Sequence, residues 1–261
     1  MELRRAKIIS VTSSKGGIGK TIFITNLAGI YQILGKKVLL IDLDLFNGTI
    51  GTLLNIHTDK TIYNFLDDLT FNRFNDVKDY LYKYSDNIDV IPSCKDSRQG
   101  NKISPRLIEK VIYSFINNYD VILIDHSHLP IAPSLVAQDL SNTILYMISN
   151  DPLDISNSKE TLDIYDNIGR ANVKVILNNS FRSKIGYFKN TDISDIIGHK
   201  IDYELNSGLY IRNIDKYIME GKILVLNKKI DFVNPKDKKW YIDLANDLCE
   251  VTDGEEKEDK K

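Results

Sequence analysis

Between an apolar run, Ile8-Ile9-Ser10-Val11, and a long apolar segment, Ile22 to Leu34, the chain places Ser13-Ser14-Lys15-Gly16-Gly17-Ile18-Gly19-Lys20-Thr21. Strand, glycine-rich loop and helix in that order restrict the fold strongly, because this is the context in which backbone amides cradle an anion. Glycines let successive N–H groups turn inward with no Cβ in the way. The helix start adds partial positive charge at the same place. The chemistry indicated is that of a bound phosphate chain. Gly16, Gly17, Ile18, Gly19 and Ile22 supply loop and helix-start amides, Lys20 can reach β- and γ-phosphates, and the Thr21 hydroxyl can ligate Mg²⁺. The bland alternative, a glycine turn beside two solvated lysines, does not explain the strand before the loop and the helix after it.

The rest of the chain repeats the strand–helix alternation. Lys7 to Thr12 reads as the first strand, and Lys20 to about Leu34 as a helix that is apolar on most faces, hence covered on both sides. Gly35 is placed to end it. Lys37 to Asp42, Val121 to Asp125, Thr143 to Ser149 and Val173 to Leu177 are near-continuous apolar runs, with Ile88 to Ile91 a shorter one. Such runs belong to parallel sheets buried on both faces. Helices are predicted from Ser104-Pro105, an N-cap and first-turn pair, to about Asn117, from Asp154 to Ile168, and from Lys236 to Cys249. Residues 55–87 read as short helices and loops. The fold class is α/β: a doubly wound, mostly parallel sheet with helices on both faces. One domain is expected over residues 1–249, followed by a charged, disordered tail over 250–261.

In such sheets ligands bind at the carboxyl ends of the strands, and carboxylates stand there. Leu39-Leu40-Ile41-Asp42-Leu43-Asp44 puts two just past the second strand, and Tyr119-Asp120-Val121-Ile122-Leu123-Ile124-Asp125 ends another strand in a third. A carboxylate at this edge can hold Mg²⁺ through water or orient an attacking water; alternatively, Asp42 or Asp44 caps the following turn. Lys174-Val175-Ile176-Leu177-Asn178-Asn179 brings an amide to the same edge, able to donate to and accept from a purine or simply to open a loop. His126-Ser127-His128 suggests a metal, but two histidines without a third ligand are a poor site.

Lys15-Gly16-Gly17-Ile18-Gly19-Lys20-Thr21 resembles the deviant Walker A motif of the MinD/ParA ATPases, P-loop NTPases that bind ATP and Mg²⁺. The resemblance implies that Lys15 acts across an ATP-dependent homodimer on the phosphates held by the other subunit, while Lys20 acts within its own. It implies that Asp44 is associated with the attacking water, that Asp42, Thr21 and Asp125 lie around the metal, and that Asn178 reads the adenine. Two departures stand out. The family usually follows its third carboxylate with Thr-Pro-Pro in a γ-phosphate-sensing loop, where this chain has His126-Ser127-His128. Ile22 replaces a hydroxyl residue that often contacts the α-phosphate, so weaker nucleotide affinity is expected. Residues 201–222 loosely match the segment that closes the nucleotide pocket. Asp44-Leu45-Phe46-Asn47-Gly48-Thr49-Ile50 looks more like the MinD, CpaE/TadZ pilus-positioning and flagellar-number branches than the plasmid-partition branch.

The resemblance implies a slow, partner-stimulated ATPase switch that positions or regulates a cellular partner, with an unidentified activating protein. Two alternatives are a partition ATPase that holds DNA without sequence preference, and a non-hydrolysing nucleotide-binding scaffold. The net charge of −2 over 261 residues gives no polyanion-binding character to the whole molecule, so DNA binding would need a local patch. Residues 212–239 supply one, with eight Lys or Arg against four Asp or Glu. The two cysteines, Cys94 and Cys249, have no metal-ligand spacing and read as reduced thiols, which fits a cytoplasmic location. No apolar run approaches bilayer length. Asp253-Gly254-Glu255-Glu256-Lys257-Glu258 would be repelled by anionic lipid, so no direct membrane anchor is expected.

Overall fold

The computed structural model describes residues 5–179, 188–206, 209 and 214–250. Among them the strands are β1 Lys7–Thr12, β2 Val38–Leu43, β3 Tyr82–Lys83, β4 Ile88–Ile91, β5 Val121–His126, β6 Thr143–Ser149, β7 Val173–Asn178 and β8 Tyr203–Leu205. The helices are α1 Lys20–Ile33, α2 Thr49–Leu53, α3 Ile62–Thr70, α4 Ser97–Gly100, α5 Pro105–Phe115, α6 Ala132–Asp139, α7 Pro152–Asn167, α8 Asn190–Ile197, α9 Ile214–Met219, α10 Ile230–Val233 and α11 Pro235–Glu250. Of the predicted tail, Glu250 ends α11 and residues 251–261 lie outside the described residues, as do residues 207–208 and 210–213 of the segment matched to pocket closure and Arg212 of the basic stretch.

The strands form one sheet in the order β3-β4-β2-β5-β1-β6-β7-β8. Every pairing is parallel except that of β3 with β4. From β1 the chain winds outward to β2 and β4, returns through β5, and then crosses β1 to build β6, β7 and β8. This is the doubly wound arrangement, and β1 sits where the winding changes direction, the place where such sheets bind ligands. The two outermost strands were not legible in the sequence. β3 has two residues and β8 three, too few for a pattern to register.

Period-two alternation sorts the apolar strands onto two faces. Ile9, Val11, Val38, Leu40, Val121, Leu123, Leu145 and Met147 face one core with α1 and α11. Ile8, Leu39, Ile41, Ile122 and Ile124 face the other, with α3 and α5. Tyr146 and Ile148 continue that second face beneath α7 and α8. Helix α1 is apolar nearly all round because it is covered twice. Phe23 meets Trp240 and Tyr241 of α11. On another flank residues 223–226 lie so close to Gly29 that a Cβ there would stand 2.6 Å from Val225 and 2.7 Å from Ile223. The helix ends as expected: Gly35 takes φ 74°, and the amides of Gly35 and Lys36 bond back to Gln32 and Tyr31 carbonyls at 3.0 and 2.9 Å.

Candidate active site

The loop after β1 adopts the conformation its glycines permit. Gly17 and Gly19 have φ of 76° and 90°, a region other residues rarely enter, and Gly19 is the residue from which α1 starts. The Lys20 ammonium folds back under the loop and donates to Ser13 Oγ at 2.8 Å. It is buried, and burial pulls its pKa down against the opposing charges of Asp125, Asp44 and Asp154. A desolvated ammonium held beneath a ring of backbone amides is a strong attractor for phosphate oxygens. Ile22, by contrast, packs against the apolar core, which accounts for the loss of a hydroxyl at that position.

The carboxyl ends of β2 and β5 close the other side. Thr21 Oγ1 donates to Asp125 Oδ2 at 2.6 Å and lies 2.9 Å from Thr49 Oγ1. Asp125 Oδ1 is buried with no hydrogen-bond partner. Burial pushes the Asp125 carboxyl up to about 7, against the Thr21 hydrogen bond and the Lys20 charge, with Asp44 adding to the rise. Asp42 is its register partner on β2, and there the turn-capping geometry is in place: Oδ1 accepts from Asp44 N at 3.0 Å and Oδ2 from Ile50 N at 2.9 Å. Both Asp42 oxygens are thus committed to backbone, in a fully buried position. Burial, and then the Asp125 charge, holds Asp42 well above the usual carboxylate range. Asp44 is buried as well, and its charge bears on Lys20. Its carboxylate accepts from Asn47 Nδ2 at 3.2 and 3.3 Å, and its carbonyl accepts from Ser93 Oγ at 2.8 Å.

β6 and β7 hold the loop from behind. Asp154, fully buried on α7, accepts from Ser14 Oγ at 2.9 Å and from Ser149 N and Oγ at 2.7 and 2.6 Å. The Lys15 ammonium extends over the surface to Asp151 Oδ1 at 3.4 Å, each side chain about two-fifths exposed. Asp151 caps α7 through the amides of Leu153 and Asp154. Asn178 is buried, and its amide donates to the Ile18 carbonyl at 2.7 Å, so this side chain braces the phosphate loop itself. The two histidines of the β5 loop part company. His126 is buried, 2.8 Å from Ser10 Oγ, and burial pushes its pKa down to about 3, which keeps the ring neutral. His128 is exposed and lays its ring against Gly16. Among the described residues no group of three His, Cys, Asp or Glu side chains converges as a metal site.

The AAA domain family profile matches residues 6–153, from β1 to the start of α7. The chain belongs to the MinD/ParA family of P-loop ATPases. An uncharacterized ATP-binding protein of Methanocaldococcus jannaschii is 31% identical over 139 residues, 49% of this chain and 51% of that protein. The chain therefore spans about half the length of that relative. The septum site-determining protein MinD of Thermotoga maritima is 23% identical over 205 residues, 76% of this chain and 73% of MinD. MinD of Pyrococcus horikoshii, solved with Mg-ADP, superposes with a TM-score of 0.75 at 23% identity, covering 95% of this chain and 97% of the other. At that identity the superposition speaks for the fold alone.

Within this MinD/ParA-family site, the residues fit a nucleotide and its cation. The donors around Thr21 are hydroxyl and carboxylate oxygens, the hard ligands Mg²⁺ prefers, and the orphaned Asp125 Oδ1 is a buried acceptor awaiting a proton donor. Sequence reasoning placed Lys20, Thr21, Asp44 and Asp125 around the loop, and in the structure Thr21 bonds Asp125 while Lys20 feels the charges of Asp125 and Asp44. It missed Thr49, Asn47 and Asp154. For Asp154 a signal existed: Asp151-Pro152-Leu153-Asp154 follows directly on a strand at the ligand-binding edge. Thr49 and Asn47 gave none, since only the turn after β2 carries them to the site.

Proposed function

We propose that the chain is a nucleotide-operated switch that binds ATP with Mg²⁺, closes into a homodimer, hydrolyses the γ-phosphate slowly and releases a protein partner as it does so. The observation that carries this reading is the 2.6 Å contact from Thr21 on the loop helix to Asp125 at the end of β5, which joins the phosphate loop to the carboxylate strand at the switch point of the sheet. Loop amides and Lys20 bind the β- and γ-phosphates, Asn178 and Asp154 keep the loop in shape, and Thr21 with Asp125 would hold the cation. Mg²⁺, when bound, neutralises charge on the transferring phosphoryl group. Asp44, held by Asn47, orients the attacking water, a contribution made in the transition state more than in binding. Asp42 keeps the β2–α2 corner in place for both. Lys15 leaves Asp151 and reaches the partner copy's phosphates.

For the DNA-binding alternative, three lysines of the basic stretch are engaged within it: Lys216 and Lys222 pair with Glu220 at 3.8 and 2.6 Å, and Lys238 pairs with Asp231. No described helix is long and apolar enough to cross a membrane. Sedimentation with ADP and with ATP tests the switch. The wild-type chain is expected to dimerise only with ATP. Lys15→Ala should bind ATP yet stay monomeric, and Asp44→Ala should dimerise and remain so, with hydrolysis slowed about 10²-fold or more. A Lys15→Ala chain that dimerises like the wild type defeats the cross-subunit role, and normal hydrolysis by Asp44→Ala moves the water-orienting role elsewhere.

A further inference from the structure

Thr49 is fixed at the site by a device that has nothing to do with its own side chain. Gly48 turns the backbone with φ 59°, and Asp42 Oδ2 grips the amide of Ile50 at 2.9 Å, so the first residue of α2 is set against the start of α1. Its hydroxyl lies 2.9 Å from that of Thr21. Both residues are half-buried.

We propose that Thr49 contributes a second hydroxyl oxygen to the divalent cation that Thr21 holds, and so makes the β2–α2 corner respond to cation loading. This rests on the nucleotide reading above. Hydrogen accounting leads to it. The single proton of Thr21 goes to Asp125 Oδ2, so in the contact between the hydroxyls Thr49 is the donor and a lone pair of Thr21 the acceptor. A cation that takes a Thr21 lone pair competes with that contact. The Thr49 proton then needs another acceptor, and the Asp125 carboxyl is beside it: the Thr49 side chain already interacts with this carboxyl, whose Oδ1 is buried and makes no hydrogen bond of ordinary length. With that shift one carboxylate accepts from both hydroxyls, and both oxygens present lone pairs outward. The spacing suits the exchange. Neighbouring oxygens on an octahedral Mg²⁺ with bonds of about 2.0–2.1 Å stand roughly 2.9–3.0 Å apart, as the two hydroxyls already do. Among the described residues no cluster of three acidic, His or Cys ligands offers the cation an alternative place. The link between Thr49 and Asp44 is four residues of loop, Leu45 to Gly48, and this is how the cation would be felt at the water-orienting carboxylate.

The test is a Mg²⁺ titration of the full chain carrying a fluorescent ADP analogue, after nucleotide affinity has been measured in EDTA. Thr49→Val should raise the Mg²⁺ midpoint about tenfold, the lower end of what lost supporting ligands cost a metal site. Its cation-free nucleotide affinity should be unchanged, and Thr49→Ser should restore the wild-type midpoint. A wild-type midpoint in Thr49→Val, or a Thr49→Ser chain as weak as Thr49→Val, overturns the assignment while leaving the nucleotide reading intact. A wild-type chain that binds the analogue with no Mg²⁺ dependence removes the cation site and this role with it. A wild-type chain that binds no nucleotide removes the reading on which both stand.

Discussion

β2 and β5 lie side by side, each an apolar strand that ends in an aspartate, and Asp42 and Asp125 face each other in register. Both carboxylates are buried and both have raised pKa values. Their oxygens are used in opposite ways. Asp42 gives one to Asp44 N and one to Ile50 N, so it is saturated by backbone and serves the shape of the corner. Asp125 gives one oxygen to a hydroxyl and none of the other, so it keeps acceptor capacity for a ligand. Burial alone therefore does not mark a functional carboxylate. A buried carboxylate whose bonds are incomplete does, because leaving an acceptor unmet costs free energy unless something that binds there meets it.

The largest expected effect sits on the saturated side. Asp42→Ala leaves two interior amides without acceptors and should lower stability by about 3 kcal/mol in urea unfolding, whereas Asp125→Asn, which has no buried charge to carry, should raise stability at neutral pH. Equal losses in the two variants would erase the distinction. The next effect is a pH dependence on the unsaturated side. The folded pKa of Asp125, about 7, exceeds its unfolded value near 3.8, so between these the folded state binds more protons. The stability that Asp125 contributes to the nucleotide-free chain is then full below its unfolded value and is lost as pH rises through the folded value. The contribution is roughly 1 kcal/mol between pH 6 and 7. Asp125→Asn cannot ionise and should flatten that part of the profile, leaving the share that belongs to Asp42. A profile as steep as the wild type would mean that Asp125 is ionised in the folded chain. The smallest effect concerns the edge of the corner. Asn47→Ala removes two long hydrogen bonds to Asp44 at the surface, and should lower kcat a few-fold, by about 1 kcal/mol or less, with KM and stability held. A change in KM alone would make Asn47 a binding residue instead.

The phosphate loop, the parallel strands and their helices were legible because each is written locally. Glycines with positive φ between a strand and a helix, and apolar runs without polar interruption, need no distant partner to be recognised. Lys20, Thr21, Asp44 and Asp125 could be located on the same ground, since strand ends in an open α/β sheet share one edge. What the sequence could not carry was the assignment of bonds along that edge. Asp42 and Asp125 read alike, and only the sheet register and the turn after β2 decide that one meets two amides and the other a hydroxyl. The pairing of Thr21 with Thr49, 28 residues apart, the bracing of Ile18 by Asn178 across 160 residues, and the parting of His126 from His128 all depend on which elements pack together. Amino-acid order by itself determined the loop, the layers and the edge where ligands bind, because these follow from local conformation and periodicity. The tertiary structure decided which polar groups at that edge are saturated and which are left able to bind, because hydrogen-bond satisfaction is settled by neighbours that the chain brings together only when folded.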